Sequence, residues 1–184
     1  IVRLQGVRAA SGAFVEQTAV ELVQANYDVL GFTTTFHQTT ASLAVARRVK
    51  SMAPDTAVVF GGANCEGVMG EALLREFSFI DAVCSGEGEF TFRALLEDLS
   101  IRGALSSEST YLCRSAPTVA AAGGRERVME MDAAPIPDYR DFFEQLTKAG
   151  VEVRSTVPFE MSRGCWWGAK KHCTFCGLNG STMT

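Results

Sequence analysis

Three cysteines stand close together near the end of the 184-residue chain: Cys165, Cys173 and Cys176, in a C-x7-C-x2-C spacing. Three thiolates on one short loop can converge on a single metal centre. The other three cysteines are scattered singly, and a disulfide framework is typical of short secreted chains that lack other core material. The clustered spacing therefore favours a metal site in a protein of a reducing compartment.

Zinc and an iron-sulfur cluster differ in the number of ligands that this loop must supply. A structural zinc ion normally takes four protein ligands, and the fourth would be His172, which adjoins Cys173 and is awkwardly placed for simultaneous ligation. A [4Fe-4S] cluster held by three cysteines leaves one iron open to an external ligand. The spacing favours the cluster over zinc, with buried unliganded thiols as a third interpretation and His172 as a polar loop residue.

The elements that must position this loop are indicated by two alternating patterns earlier in the chain. Apolar residues recur at helical spacing over 12–24, 41–52, 68–77 and 90–101, and short apolar segments at 28–33, 57–60 and 80–84 are typical of buried strands. Three consecutive strand-helix units predict a parallel sheet with right-handed crossovers and helices on both faces. The expected fold class is α/β, with a Rossmann-like parallel sheet.

A second region is predicted beyond this sheet. Residues 103–133 suggest an edge hairpin, with strands at 110–113 and 127–131, and the prolines of 134–137 form a stiff extended linker. An amphipathic helix is expected over 139–149 and a strand over 155–161, leading into the cysteine loop. The predicted organisation is a sheet domain (1–133), a linker and helix (134–154), and the start of a further domain (155–184).

Charge and hydropathy exclude some functions. With 17 Lys and Arg against 21 Asp and Glu, the net charge is −4 and the pI about 5.3, so the cationic surface that binds nucleic acid is missing. No apolar run approaches the roughly 18 residues of a membrane span, and the first residues do not resemble a signal peptide. We expect a soluble, cytoplasmic protein and, because the first residue is not Met, a piece of a longer chain. The predicted three-stranded sheet is narrow and no strand precedes its first helix, so we also expect the first strand of the sheet to be missing.

The cysteine loop also resembles a known family. Ser-Arg-Gly-Cys (162–165) followed by Cys-Thr-Phe-Cys (173–176) is similar to the cluster loop of radical S-adenosylmethionine (radical SAM) enzymes, although their first gap usually has three residues and this one has seven. The longer gap with Cys-Trp-Trp-Gly resembles one branch, the cobalamin-domain radical SAM proteins that mature ribosomally made peptides. The segments Gly-Phe-Thr-Thr-Thr-Phe-His-Gln (31–38), Phe-Gly-Gly-Ala-Asn-Cys-Glu-Gly (60–67) and Ser-Gly-Glu-Gly-Glu (85–89) resemble that branch as well.

This resemblance implies a radical enzyme. Cys165, Cys173 and Cys176 would ligate a [4Fe-4S] cluster whose open iron binds S-adenosylmethionine, and an external electron donor would reduce it. The resulting radical would modify a peptide substrate, with methylcobalamin as methyl donor. Phe175 would pack on the adenine or merely anchor the loop. Residues 155–184 would begin a radical SAM partial TIM barrel, and since an α/β barrel needs at least about 200 residues, most of it would lie elsewhere.

A ligand site is also expected where the three predicted strands end. In open parallel sheets, ligands bind beyond the carboxyl ends of the strands, here the loops 33–38, 61–67 and 85–89. Spacing alone slightly favours ordinary tight turns and helix caps at these loops. The resemblance instead favours a cobalamin site around the lower face and tail of the corrinoid. Its candidate residues are Thr33, Thr34, Thr35, Gly61, Gly62, Gly86 and Glu87.

The cysteines and histidines outside the cluster receive simpler interpretations. Cys65 and Cys84 adjoin predicted strand ends and are expected to be small buried hydrophobes. These 184 residues contain no Asp-x-His-x-x-Gly motif of the kind that supplies a cobalt ligand, and we expect His37 not to ligate cobalt. The competing hypothesis for the whole chain is a non-catalytic Rossmann-like module that carries a zinc knuckle for partner binding.

Overall fold

The computed structural model describes residues 2–106, 110–114, 117, 132, 134–152, 154, 156–160, 163–171 and 173–174. The chain divides into two compact units, residues 1–127 and 128–184. The second predicted strand of the edge hairpin, at 127–131, lies outside the described residues.

Helices and strands alternate in the first unit. It begins with α1 (Val2–Gln24), β1 (Val29–Thr33), α2 (Gln38–Met52) and β2 (Ala57–Gly61). A 3-10 turn (Ala63–Cys65) leads to α3 (Val68–Glu76), β3 (Ala82–Val83) and α4 (Gly88–Glu97), which a π-helical turn (Asp98–Arg102) extends before β4 (Leu112–Cys113). Among the described residues, no helix is both long enough and apolar enough to cross a membrane.

The four strands form one sheet in the order β1-β2-β3-β4. The first three run parallel, with Phe32 opposite Phe60 and Val59 opposite Ala82. β4 joins β3 in the antiparallel direction, with Leu112 opposite Val83. The α/β class and the mostly parallel sheet are therefore as predicted, and the sequence also located the edge strand, although only two of its four predicted residues pair.

Side chains alternate between the two faces of this sheet, and each face has its own core. On one face, Val58, Phe60 and Val83 pack with residues of α2 and α3, and Leu30 packs with α1 and α2. On the other face, Val59, Ala82 and Cys84 pack with Leu95 of α4. Parallel crossovers of one hand place α2 and α3 on the same side, so α4 has the opposite face to itself. α4 covers β1 only in part, where Phe92 lies near Gly31 and Val29 packs against the cluster that contains Leu95.

The second unit contains two described helices, α5 (Arg140–Lys148) and α6 (Trp166–Lys170). α5 confirms the amphipathic helix predicted at 139–149. The strand predicted at 155–161 is wrong for the residues described there, because 156–160 form no regular secondary structure. Several large apolar side chains of this unit are exposed, including Phe142, Phe159 and Trp166.

Candidate functional site

An open cleft of about 520 Å³ lies at the carboxyl ends of the parallel strands, on the face that carries α4. Each of the three strands contributes to it at or just beyond its carboxyl end. Its lining includes Gly31, Thr33, Gly61, Gly62, Cys84, Gly86, Gly88, Glu89 and Phe92. The structure thus brings the ends of three separate strands and the start of α4 to one surface.

Glycines keep the cleft open. A Cβ atom at Gly86 or Gly88 would have nothing within 4 Å, and one at Gly31 would meet only the Phe92 ring, at 3.9 Å. Gly31 lies in the middle of β1, where a glycine weakens the strand and often marks the close approach of a ligand. The absence of these side chains exposes backbone and leaves a broad surface that a flat ligand can approach.

Thr34 joins the first two loops of the cleft. It is fully buried, and both its N–H and its Oγ1 donate hydrogen bonds to the Gly61 carbonyl oxygen, at 2.7 and 2.8 Å. Its own carbonyl oxygen accepts the Asn64 N–H at 3.1 Å, and its Oγ1 lies 3.2 Å from Cys65 Sγ. The hydroxyl of Thr34 is therefore engaged inside the protein, and the residue positions the loops around the cleft.

Gly62 is required by the same loop contact. Its φ of +93° is a conformation that side chains rarely adopt, and a Cβ atom there would lie 2.7 Å from the Thr34 carbonyl oxygen and 2.8 Å from the Thr34 nitrogen. A larger residue at Gly62 would therefore collide with the backbone of Thr34 and separate the two loops.

The second and third loops are also tied together. The buried hydroxyl of Ser85 accepts the Gly67 N–H at 2.8 Å, and Thr91 in α4 donates to the Glu87 carbonyl oxygen at 2.9 Å. Together with the Thr34 contacts, these bonds connect all three loops. The cleft is consequently bordered by loops that hold one another in place before any ligand arrives.

The predicted ligand residues separate into two groups. Thr33, Gly61, Gly62 and Gly86 line the cleft, whereas Thr34, Thr35 and Glu87 do not. The Thr35 N–H donates to the Gln38 side chain. The exposed His37 is likewise absent from the lining. The candidate residues named from sequence omit Gly31, Gly88 and Phe92. Gly88 belongs to the predicted loop 85–89, and the signal for Gly31 was a glycine inside an otherwise apolar strand.

A second cavity, of about 720 Å³, adjoins the cleft along α4. The two share Gly88, Glu89 and Phe92, and the second continues past Val29 and Leu96 towards the amino ends of β1 and β2. Together the two cavities extend along α4 from the carboxyl ends of β1 and β2 towards their amino ends.

Cys84 is a thiol in the cleft lining, but its environment is unfavourable to ionisation. Burial raises its pKa to about 11, an effect that a hydrogen bond with Thr91 only partly opposes. Burial also raises the pKa of Cys65. Both thiols are therefore protonated at neutral pH, and their burial confirms the prediction that they act as small hydrophobes.

The predicted metal ligands belong to the second unit. The exposed Cys165 precedes α6, and its Sγ accepts the Gly168 N–H at 3.3 Å, so the long gap between the first two cysteines is occupied by a short helix. Lys170 lies 5.4 Å from the centre of the Trp166 ring. Cys173 is half-buried and, like Cys165, in no disulfide.

The structure does not complete the predicted ligand set. Cys176, His172 and the predicted adenine contact Phe175 lie outside the described residues. Within the residues that are described, no group of three or more His, Cys, Asp or Glu side chains could hold a metal ion. The cluster therefore remains a prediction from sequence.

The sequence of this chain is similar to those of known proteins. Residues 2–96, more than half of the chain, match the model of the B12 binding domain family. Over 158 residues the chain is 32% identical to an uncharacterized methyltransferase of Pyrococcus horikoshii. That alignment covers 81% of this chain and 31% of the other protein, so the chain spans about a third of the length of the relative.

Proposed function

This chain belongs to the B12-binding domain family, and from that premise we propose that its glycine-lined cleft binds a corrinoid for methyl transfer. The observation that carries the proposal is the convergence of three strand ends on one open surface. Ligands of open parallel sheets bind at this edge. The similarity to a protein described as a methyltransferase supports the reaction class.

The residues present fit a large, flat ligand. Gly86 and Gly88 have open space where side chains would stand, and Gly31 exposes the surface of a strand. Thr33 and Glu89 provide polar groups, and Phe92 provides an apolar wall. A corrinoid is larger than the cleft, and the adjoining cavity along α4 offers room for its tail. When bound, methylcobalamin supplies a methyl group on cobalt for transfer to a substrate.

The protein's own contribution is to bind and orient. The loop contacts through Thr34 and Ser85 hold the surface in shape, which lowers the cost of ordering the loops on binding. Cys84 is protonated at neutral pH, since burial raises its pKa to about 11, so the cleft does not offer a thiolate to the ligand. The cleft therefore holds the cofactor by shape and hydrogen bonding.

The second unit would supply the radical chemistry. Cys165, Cys173 and Cys176 would hold a [4Fe-4S] cluster that binds S-adenosylmethionine, with electrons from an external donor and a ribosomally made peptide as substrate. The resemblance of the loop supports this part, and so does the accessibility of Cys165, since a cluster ligand must be reachable and free of disulfides. Residues 155–184 would begin the partial barrel of that catalytic domain.

A titration with hydroxocobalamin, followed by visible absorption, tests the corrinoid site. We expect the chain to bind at micromolar concentrations and Gly88→Leu to weaken binding at least tenfold, because the new side chain occupies the cleft without meeting other atoms. Gly12→Leu is the matched control, since Gly12 also has open space around it but lies on α1. Binding that is absent in the unchanged chain, or equally strong in Gly88→Leu, would contradict the proposal.

The cluster is tested by anaerobic reconstitution with iron and sulfide, followed by absorption and paramagnetic resonance. We expect one [4Fe-4S] centre, lost when any of Cys165, Cys173 or Cys176 is replaced by Ala. A stoichiometric zinc ion that survives reconstitution and depends on His172 would support the non-catalytic zinc module instead.

A further inference from the structure

Phe36 combines a backbone conformation that costs stability with an aromatic ring that gains none from burial. Its backbone is in the left-handed region, with φ +49°, which is uncommon for a bulky residue. Its side chain is 83% exposed, so an aromatic ring stands almost entirely in water. A costly conformation at an exposed apolar residue is an observation from which a functional role can be inferred.

The surrounding loops hold Phe36 in this conformation. Asn64 Nδ2 donates a hydrogen bond to the Phe36 carbonyl oxygen at 3.1 Å and another to Thr39 Oγ1 at 2.8 Å. Phe36 follows Thr33 by three residues, and Asn64 follows Gly62 by two, and both Thr33 and Gly62 line the cleft. The turn that carries Phe36 is thus fastened to the second loop at the rim of the cleft.

We propose that Phe36 is a contact residue for the bound corrinoid, with its ring packing against the part of the ligand that extends beyond the cleft. The inference rests on the proposed corrinoid site and adds a residue that does not line the cleft itself. A corrinoid offers a broad apolar surface, and its contact would remove the Phe36 ring from water. Ligand contact would offset the cost of holding the residue in its left-handed conformation.

Variants of Phe36 distinguish a role in ligand contact from a role in stabilising the fold. In the full chain, we expect Phe36→Gly to weaken hydroxocobalamin binding about tenfold, while its Tm equals or exceeds that of the unchanged chain because glycine adopts a positive φ readily. Phe36→Tyr keeps the aromatic ring and should keep the affinity. Tyr27→Ala is the control, because it removes an exposed aromatic ring next to the opposite end of β1.

The outcomes distinguish this inference from the proposed function. Weakened binding in Phe36→Gly alone, with unchanged or raised Tm, supports the contact. Unchanged affinity in Phe36→Gly, a parallel loss of affinity and Tm, or a Phe36→Tyr chain that binds as weakly as Phe36→Gly would overturn it while the corrinoid site stands. If the unchanged chain does not bind hydroxocobalamin, the proposed function fails and the contact fails with it.

Discussion

The cysteines of the two units occupy opposite environments. Cys65, Cys84 and Cys113 are buried in the sheet unit, whereas in the second unit Cys165 is exposed and Cys173 half-buried. The buried apolar side chains follow the same division, since among the described residues all of them belong to the sheet unit, which has a core on each face. The same residue type therefore serves as core material in one unit and remains available for chemistry in the other.

Thiol reactivity offers the largest test of this comparison. We expect iodoacetamide to modify Cys165 on the order of a thousandfold faster than Cys65 or Cys113, because an opening that costs about 4 kcal/mol leaves roughly one buried thiol in a thousand reactive. Mass mapping of the peptides at successive times measures the rates. Denaturant should abolish the difference, and similar rates in the folded protein would show that the buried thiols are not protected.

Two glycines of positive φ, one in each unit, compare how tightly the two units are packed around them. Gly62→Ala should destabilise the sheet unit by about 3 kcal/mol, because the new methyl group collides with the Thr34 backbone and alanine is strained at a φ of +93°. Gly150, which follows α5, has φ +64° but nothing within 4 Å, so Gly150→Ala should cost only about 1 kcal/mol.

Separate probes can follow the two units during urea unfolding in these glycine variants. Circular dichroism reports mainly on the sheet unit, which holds most of the described helices, and tryptophan fluorescence reports on the second unit, which holds both tryptophans. Equal costs for Gly62→Ala and Gly150→Ala would mean that the contact between Gly62 and Thr34 is loose in solution.

Much of the structure of the sheet unit could be predicted from the sequence, because the residue patterns that indicate its strands and helices are local. The apolar segments located the three parallel strands, and the helical spacing located the helices, although α1 begins at Val2 rather than near residue 12. The rule for open parallel sheets selected the edge at which the cleft lies. The role of Thr34 was not predictable, since its hydroxyl could bond a ligand or a neighbouring loop, and only the position of Gly61 decides between them. The strand expected at 155–161 failed for a related reason, because a strand requires a partner that sequence does not reveal.

A smaller difference in stability is expected between two variants that each remove a tyrosine hydroxyl, one from each unit. Tyr111 in the sheet unit is fully buried, and its hydroxyl donates to Asp98 Oδ2 at 2.8 Å while accepting the Ser106 N–H at 2.7 Å. Tyr139 in the second unit donates to the Pro158 carbonyl oxygen at 2.6 Å in a more exposed setting. We expect Tyr111→Phe to cost about 2 kcal/mol and Tyr139→Phe less than about 1 kcal/mol, because only the first removes a hydrogen bond from a buried carboxylate, that of Asp98.

The same urea experiments measure these two variants. A Tyr139→Phe cost that matches that of Tyr111→Phe would show that the second unit is as tightly organised as the sheet, contrary to the comparison.

The smallest expected effect is a loss of stability at alkaline pH caused by Cys84. Burial raises its pKa from 9.0 to about 11, so between pH 9 and pH 11 the unfolded chain releases the thiol proton while the folded chain retains it. The folded state then binds more protons than the unfolded state, and stability falls as pH rises through this range. At pH 10 the loss should be about 1 kcal/mol relative to pH 8.

Cys84→Ala isolates this contribution, because the other groups that titrate near pH 10 are the same in both proteins. The variant starts less stable, since it loses a buried sulfur, but its stability should decline less between pH 8 and pH 10. Val59→Ala is the control, because it also removes buried side-chain atoms from the cleft lining but no ionisable group, and its stability should decline between pH 8 and pH 10 as that of the unchanged chain does. A Cys84→Ala decline equal to that of the unchanged chain would mean that water reaches Cys84 in solution. The cleft would then contain an ionisable thiol, and the contrast between the cysteines of the two units would be one of degree.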